Sequence, residues 1–369
     1  MTRALLAALA LAVLLLGCAA DKPKPKPLPS YTPSIAGKVV WQASVDSIDF
    51  PLLVTVRNGT FVVAGGDGVL RALSAADGHE LWRGDAHARL SAGVGSDGRY
   101  AAVVTRANEL VVFDQGKELW RERLPSRVVT APLVAGERVF VMSVDRAVRA
   151  FDVLDGRHLW DVQRPGDALT LAQAGVVTSY RNSLLVGQGV RLASLDPLHG
   201  TLQWEVALAS PRGTNEVERL ADLLGPALRL GDKVCARAFQ SAVACVDAAR
   251  GALLWSRNVG GADAVGGNDE ALFGADASDR ITAWRADNGN VLWTNEKLLY
   301  RGLSGALAVG SSVVFGDAEG DVHFLSTKDG DVQLRLPTDG SAIVGTPVLS
   351  GDTVLVTTRK GGLFALRIG

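Results

Sequence analysis

The chain has almost no net charge, because its 38 lysine and arginine residues are balanced by 39 aspartate and glutamate residues. Nucleic-acid binding leaves a basic excess in a sequence, since lysine and arginine neutralise the phosphates. Apolar residues make up 47% of the chain, which is too many for a disordered protein. We therefore expect a folded protein without a nucleic-acid partner.

The sequence also has little of what enzymes use for catalysis or metal binding. Its five histidines are scattered, without the short paired spacing of zinc ligands. It has no G-x-S-x-G elbow and no Walker phosphate loop, and no G-x-G-x-x-G motif stands at a strand-to-helix junction. We therefore expect no catalytic residue, no metal centre and no cofactor, and a function based on binding.

The apolar run at residues 4–16 has 13 residues, which is too short to cross a bilayer of about 30 Å as a helix. The run ends in Leu-Leu-Gly-Cys at residues 15–18, which resembles a bacterial lipobox. This resemblance implies that residues 1–17 are a signal peptide and that Cys18 becomes the lipidated N-terminus. Ala19, in place of Asp, implies anchoring at the periplasmic face of the outer membrane of a Gram-negative cell. The alternative is an ordinary signal peptide with an incidental cysteine.

Residues 18–33 follow as a segment rich in proline and lysine. Proline removes backbone donors and favours the extended polyproline II conformation. We interpret this segment as a tether that holds a folded domain at the membrane through the lipid on Cys18. A proline-rich ligand for a partner module is the alternative interpretation.

A glycine followed four positions later by tryptophan recurs through the chain. Successive glycines of this series lie 41, 38, 40, 44, 51, 38 and 41 residues apart, a period typical of four-stranded propeller blades. Short apolar segments at residues 130–134, 138–144 and 147–151 precede one tryptophan strand, which predicts four strands per unit. The glycine and tryptophan pairs are Gly37/Trp41, Gly78/Trp82, Gly116/Trp120, Gly156/Trp160, Gly200/Trp204, Gly251/Trp255 and Gly289/Trp293, and Leu334 takes the tryptophan position after Gly330.

The two ends of this array are incomplete in complementary ways. Residues 37–45 contain a fourth strand without the three before it, whereas residues 346–368 contain the first three strands without a fourth. We therefore predict an all-β, eight-bladed β-propeller over residues 34–369, in which the N-terminal strand completes the C-terminal blade. The repeated tryptophans are expected to pack between blades, with each indole N–H bonded to an acceptor.

Cys235 and Cys245 lie in two apolar segments joined by a turn around Gln240, which would place them opposite each other on antiparallel strands. An oxidising compartment permits a disulfide, but the geometry of a strand pair is often poor for that bond. A disulfide and two buried free thiols therefore both remain open. Either state would be structural.

The repeat interval of 51 residues identifies the longest insertion, which we assign to residues 210–225. This segment mixes leucines with charged side chains, a composition typical of a protein contact with apolar anchors and a polar rim. The alternative is a solvated loop with local ion pairs. A binding function makes the protein contact the working hypothesis.

The Asp-Gly-x-x-Leu-Trp form at residues 77–82 and 155–160 resembles the blades of pyrroloquinoline quinone (PQQ) dehydrogenases. That resemblance implies adjacent cysteines stacked on the quinone, a calcium ion and a carboxylate base. Cys235 and Cys245 are instead ten positions apart, and the acidic cluster at residues 269–279 lacks the compact spacing of a calcium loop. A quinoprotein enzyme, or a propeller that binds a small ligand, therefore stays the alternative function.

The whole chain resembles the BamB family of propeller lipoproteins. The resemblance is carried by the lipobox, the tether and the eight blades, together with Glu-Val-Glu-Arg-Leu-Ala-Asp at residues 216–222, Gly-Asp-Ala-Glu-Gly at 316–320 and the stretch 296–303. It implies a non-enzymatic scaffold of the outer-membrane β-barrel assembly machinery, monomeric within a hetero-complex. The implied partners are the periplasmic POTRA domains of BamA and unfolded outer-membrane proteins.

The same resemblance implies two docking loops, at residues 169–171 and 219–224. We expect the loop leucines to form an apolar anchor, with the charged residues fixing orientation through hydrogen bonds. Ala172 stands where the family pattern has arginine, and Leu224 where it has an acidic residue, so both positions put the strength of docking in question. The expected partner-binding residues are Leu169, Leu171, Arg219, Leu220, Asp222 and Leu223.

Overall fold

The computed structural model describes residues 23–164, 170–211, 214–215 and 220–369. These residues form 32 β-strands in eight four-stranded antiparallel sheets, and they contain no helix. Among them, therefore, no helical segment has the length and apolar character needed to cross a membrane. The sheets form the blades of a propeller, which confirms the predicted fold class.

Strand β1 (Gly37–Ser44) comes first in the chain and belongs to the last blade. Each other blade runs from an inner strand beside the central funnel to an outer strand at the rim. The strands of the first four blades are, in that order, β2 (Thr55–Arg57), β3 (Thr60–Ala64), β4 (Val69–Ser74) and β5 (Glu80–Asp85); β6 (Leu90–Ser96), β7 (Tyr100–Thr105), β8 (Glu109–Asp114) and β9 (Lys117–Arg123); β10 (Leu133–Ala135), β11 (Arg138–Met142), β12 (Ala147–Asp152) and β13 (His158–Gln163); β14 (Val177–Tyr180), β15 (Ser183–Gln188), β16 (Arg191–Leu195) and β17 (Leu202–Ala207).

The second half of the ring repeats this order of strands. Its blades are β18 (Leu223–Leu230), β19 (Lys233–Ala238), β20 (Ala242–Asp247) and β21 (Ala252–Arg257); β22 (Gly266–Gly267), β23 (Ala271–Ala275), β24 (Ile281–Arg285) and β25 (Val291–Asn295); β26 (Leu307–Val309), β27 (Ser312–Gly316), β28 (Asp321–Ser326) and β29 (Val332–Pro337); β30 (Ile343–Ser350), β31 (Thr353–Thr358) and β32 (Gly362–Ile368), completed by β1.

The first strand closes the ring. Strand β1 pairs antiparallel with β32, with Gly37 opposite Ile368 and Ser44 opposite Gly362. The eighth blade therefore contains both ends of the propeller, as the incomplete ends of the repeat predicted. Shared pairing of this kind leaves no blade unfinished and ties the N-terminal strand to the last three strands.

Tryptophan indoles join neighbouring blades, as the repeat predicted. The indole N–H of Trp41 donates to the carbonyl of Ala75 at 3.1 Å. Gly78 has a positive φ of 75°, and a Cβ at that position would lie 2.6 Å from the Trp41 ring. Glycine is required there both by the turn and by the packing of the ring. Equivalent hydrogen bonds to a carbonyl of the next blade are made by Trp120, Trp160, Trp255 and Trp293.

Cys235 and Cys245 lie directly opposite each other on β19 and β20, and the structure joins them by a disulfide. Both residues are fully buried. They pack beside Trp255 and Trp284 in the core between the fifth and sixth blades. Trp284, which lies outside the repeat series, is 1% exposed and therefore belongs to this core.

The described part of the predicted tether does not extend freely from the propeller. Lys26 and Ser34 donate backbone hydrogen bonds to Leu299 and Gln333. Leu28 packs against the core cluster of the sixth and seventh blades. Within the segment interpreted as a tether, residues from Lys26 onward therefore contact the propeller. Proline content indicated an extended conformation but could not show whether the segment binds its own domain.

Candidate partner-docking surface

One end of the ring carries the predicted docking loops. In an antiparallel blade, the connection from an outer strand to the next inner strand lies at the same end as the turn between the second and third strands. We call this end the loop face. The described residues 170–176, of the connection before β14, and 220–222, of the connection before β18, lie there. Leu169 and Arg219 of these loops, like Cys18, fall outside the residues that the structure describes.

Asp222 connects the two loops. Its Oδ2 atom accepts a hydrogen bond from the backbone N–H of Leu171 at 2.9 Å, and its Oδ1 atom lies 3.4 Å from Nη2 of Arg146. The Asp222 side chain is 18% exposed and that of Arg146 14%. Charge-assisted hydrogen bonds at sites with little solvent are stronger than exposed surface pairs. The carboxylate therefore fixes the position of residue 171 relative to the second loop.

Arg146 is a residue of this site that sequence reasoning missed. It lies in the turn between β11 and β12, with a φ of 65°, and its carbonyl accepts a hydrogen bond from Nε2 of Gln188. The turns between second and third strands share the loop face, so the predicted topology could have placed Arg146 at the correct end. Its pairing with Asp222, 76 positions away, depends on the distance between blades, which the repeat does not specify.

Hydrogen bonds also fix the backbone around Asp222 to the two neighbouring blades. The backbone N–H of Phe239 donates to the Asp222 carbonyl at 3.0 Å, and the N–H of Leu223 donates to the carbonyl of Gly189 at 2.9 Å. These bonds join the segment that enters the fifth blade to the turn at Gly189 in the fourth blade and to the turn at Phe239 in the fifth blade. The described end of the second loop is therefore attached on both sides.

Leu223 does not contribute an exposed apolar contact, and that part of the predicted anchor is corrected. Leu223 is 2% exposed and packs against Val176 and Ala238 in a core cluster, because β18 begins at this residue. Leu224 is 3% exposed, so its apolar character fits its burial. An acidic side chain at that position would have to be desolvated.

Among the leucines of the predicted anchor that the structure describes, Leu171 and Leu220 have partly exposed side chains. Ala172, beside Leu171, is exposed. A small cleft lined by Met142, Arg146 and Leu171 adjoins them. The structure thus brings Leu171 and Asp222 together, and Leu220 precedes Asp222 by two positions in the chain.

A central funnel of about 780 Å³ opens beside these loops and has a largely apolar wall that includes Phe50, Leu303 and Ile343. Asp263 also lines it. Asp263 is exposed to the solvent inside the funnel, but the surrounding walls partly desolvate its carboxyl group. This desolvation raises the pKa of Asp263 to about 6. Arg237 lies beneath, donating to three backbone carbonyls, and burial lowers the pKa of its guanidinium to about 10.

A buried group of charges lies on the loop face of the seventh blade. Nε of Arg301 donates to Oδ2 of Asp317 at 2.7 Å, and the ring of His323 lies 2.9 Å from the same oxygen. Burial alone would raise the pKa of Asp317, but the hydrogen bond to His323 and the bonds from backbone and Arg301 outweigh it and lower that pKa to about 2. Asp317 is therefore ionised under ordinary conditions.

The same group contains the described acidic residues best placed to hold a metal ion. Carboxylate oxygens of Asp317, Glu319 and Asp321 lie within 4.8 Å of one another. The Arg301 guanidinium contacts all three residues. One cation of the chain thus already contacts every carboxylate of this cluster. Of the acidic residues at 269–279, Asp276 accepts a hydrogen bond from the backbone N–H of Ser278 within its own turn, and Asp279 accepts from the backbone N–H groups of Gly302 and Leu303.

The eight four-stranded blades define a β-propeller protein with PQQ-like repeats. The family model described as "Outer membrane protein assembly factor BamB" matches residues 34–89 and 66–295. The chain is 35% identical over 351 residues to the protein of that name from Bordetella pertussis, covering 94% of this chain and 91% of the relative. The chain therefore belongs to the BamB family, as its loops and repeats predicted.

Solved structures agree with this assignment at the level of the fold. BamB from Moraxella catarrhalis superposes with a TM-score of 0.81 at 21% identity, covering 90% of this chain and all of that one. Quinohemoprotein alcohol dehydrogenase from Comamonas testosteroni superposes with a TM-score of 0.66 at 14% identity, covering 90% of this chain and 76% of that one. The propeller is thus shared with quinoprotein enzymes, whereas the relatives by sequence are named assembly factors.

Proposed function

We propose that this chain is an outer-membrane protein assembly factor that acts by binding and performs no catalysis. The observation that carries the proposal is the match to relatives of that name over 94% of the chain. The site chemistry points the same way. The disulfide is buried between the fifth and sixth blades, and the Arg301 guanidinium contacts all three carboxylates of the described acidic cluster.

We propose that Leu171 and Leu220 contact a POTRA domain of BamA, that Asp222 holds the docking loops in place, and that Leu169 and Arg219 make further contacts. Asp222 acts mainly within the chain, because both carboxylate oxygens face groups of the propeller. A loop that is already held in its bound conformation loses less entropy on association. Half-buried leucines beside such a loop are typical of the anchors that carry binding energy.

The proposed location is the periplasmic face of the outer membrane, with Cys18 carrying the lipid. Family membership supports an association with the outer membrane, and the sequence at residues 15–18 supports the anchor. Several acyl chains on one terminus are sufficient for stable anchoring without a spanning helix.

Unfolded β-barrel proteins are a second proposed partner class. Outer strands of several blades carry exposed leucines, among them Leu81, Leu119 and Leu254. An extended client could pair with the free edge of such a strand and cover these side chains. A photo-crosslinking residue at Leu119 should capture unfolded barrel proteins in cells, and failure to capture any would exclude that edge.

The test of the docking surface is co-purification of the native lipidated protein in mild detergent, with bound proteins identified by mass spectrometry. Leu171→Glu places a charge beside the cleft and should abolish recovery of a POTRA-bearing barrel protein. Leu154→Glu is the matched control, because Leu154 is 62% exposed and lies at the opposite end of the ring. Equal recovery of the partner with both variants would mean that the docking site lies elsewhere on the propeller. No recovery of the partner even with the unaltered chain would refute the proposed function.

A further inference from the structure

The segment at residues 26–34 crosses the outside of the seventh blade before β1 begins. At its N-terminal end, the backbone N–H of Lys26 donates to the carbonyl of Leu299 at 2.9 Å, and its Nζ donates to the carbonyl of Glu296 at 2.9 Å. At its C-terminal end, the N–H of Ser34 donates to the carbonyl of Gln333 at 3.0 Å. Both ends of the segment are thus attached to the propeller by backbone hydrogen bonds.

Contacts between these ends involve side chains. Leu28 packs against the cluster that contains Leu298 and Leu303. The guanidinium of Arg335 lies 5.1 Å from the centre of the Tyr31 ring, and the backbone N–H of Arg335 donates to the Tyr31 hydroxyl at 2.8 Å. Cation–π contacts and hydrogen bonds of this kind each contribute about 1 kcal/mol at partly exposed sites.

The contact at Lys26 rests on a rigid part of the propeller. Nη1 of Arg301 donates to the Lys26 carbonyl at 3.2 Å, and the Arg301 side chain is only 3% exposed. Arg301 is itself positioned by Asp317, which is fully buried. The group that binds the Lys26 carbonyl is therefore positioned by a contact inside the seventh blade. Prolines at positions 25, 27 and 29 also restrict the unbound segment, which lowers the entropy lost on binding.

We propose that residues 26–34 are a strap that fixes the orientation of the propeller relative to the membrane. The proposal rests on the proposed lipid anchor at Cys18. In the proposed orientation, the loop face at the junction of the sixth and seventh blades faces the lipid surface.

The length of chain between the anchor and the strap sets this orientation. Cys18 and Lys26 are eight positions apart, so a fully extended chain spans at most about 29 Å between them. A tether that was free as far as residue 35 would span about 61 Å and would permit any orientation. Because the docking loops share the loop face, the strap would hold them on the membrane-facing side of the ring.

The first test measures amide hydrogen exchange of the full lipidated chain in detergent. Peptides covering residues 26–34 should be protected, and the double variant Leu28→Ser/Tyr31→Ala should exchange about 30-fold faster, the factor expected from losing one cation–π contact and one hydrogen bond of about 1 kcal/mol each. Thr32→Ala is the matched control, because Thr32 is exposed within the same strap. Full exchange in the unaltered chain would overturn the proposal.

The second test measures orientation in vesicles of phosphatidylethanolamine and phosphatidylglycerol that contain an acceptor-labelled lipid. A fluorescent residue at Ala277, on the loop face of the sixth blade, should transfer more energy to the lipid than one at Ser311, at the opposite end of the seventh blade. The double variant should reduce this difference by more than half, and Thr32→Ala should keep it. Equal transfer from the two sites in the unaltered chain would overturn the proposed orientation.

The mass of the mature N-terminus separates failure of the anchor from failure of the strap. Acyl groups on Cys18 are expected. Their absence would overturn the anchor and the orientation together, while exchange of residues 26–34 would still report whether the strap binds the blade. An acylated chain with an unprotected strap would leave the anchor intact and overturn the strap alone.

Discussion

Replacing Asp222 tests whether its carboxylate organises the docking loops from within. In Asp222→Ala the backbone N–H of Leu171 loses its acceptor and Arg146 loses its partner carboxylate. A hydrogen bond to a charged, partly buried group contributes about 2 kcal/mol. Local opening at Leu171 should therefore become about 30-fold more frequent.

Amide exchange at Leu171 measures this opening directly. Asp222→Asn keeps an oxygen that can accept the Leu171 N–H but removes the charge that attracts Arg146, so its exchange should accelerate only about fivefold. Asp232→Ala is the control, because Asp232 pairs with Arg181 in a turn at the opposite end of the ring. Its exchange at Leu171 should equal that of the unaltered protein.

Partner binding then separates an internal role from a direct contact. If Asp222 works by holding the loop, affinity for the POTRA-bearing partner should fall strongly in Asp222→Ala and only slightly in Asp222→Asn. Equal loss of affinity in both variants, with unchanged exchange at Leu171, would refute this reasoning. That result would mean that the charge of Asp222 acts on the partner itself.

Three further predictions concern stability. Gly78→Ala should lower the free energy of unfolding by about 2 kcal/mol, because the added Cβ would meet Trp41 and the residue has a positive φ; little change in a urea titration would contradict this. Replacing Cys235 and Cys245 together by alanine should cost about 2 kcal/mol, and a melting temperature insensitive to this change would show that the disulfide contributes nothing. The folded pKa of Asp317, about 2, lies below its ordinary 3.8, so its contribution of about 2 kcal/mol is present above pH 3.8 and lost as pH falls towards 2. Asp317→Asn should therefore show a shallower loss of stability between pH 4 and pH 2, and equal slopes would refute the assignment.

The architecture followed from the sequence because each blade repeats the same local requirement. Gly78 is needed by a turn and by the ring of Trp41, so both residues recur at a fixed spacing. Residues 37–45 supply the fourth strand that residues 346–368 lack, so the sequence also predicted that β1 pairs with β32 and closes the ring. Local chemistry repeated eight times specifies the number of blades without information about distant contacts.

The proposed docking surface was only partly predictable, because its contacts lie between blades. Leu223 and Leu220 look alike in the sequence, yet Leu223 begins β18 and is buried whereas Leu220 is partly exposed. The pairing of Arg146 with Asp222 depends on how closely two blades approach. The attachment of Tyr31 to Arg335 joins residues 304 positions apart, and proline content cannot specify it.

The central claim is that the loops around Leu171 and Arg219 bind the periplasmic domain of BamA, and affinity measurement tests it most directly. The lipidated protein in detergent would be titrated with that domain and compared with Leu171→Glu, Arg219→Glu and the control Leu154→Glu. Loss of a binding hot spot costs at least about 2 kcal/mol, so the first two variants should bind about 30-fold more weakly or worse, while the control keeps full affinity. Unchanged affinity in both Leu171→Glu and Arg219→Glu would contradict the account.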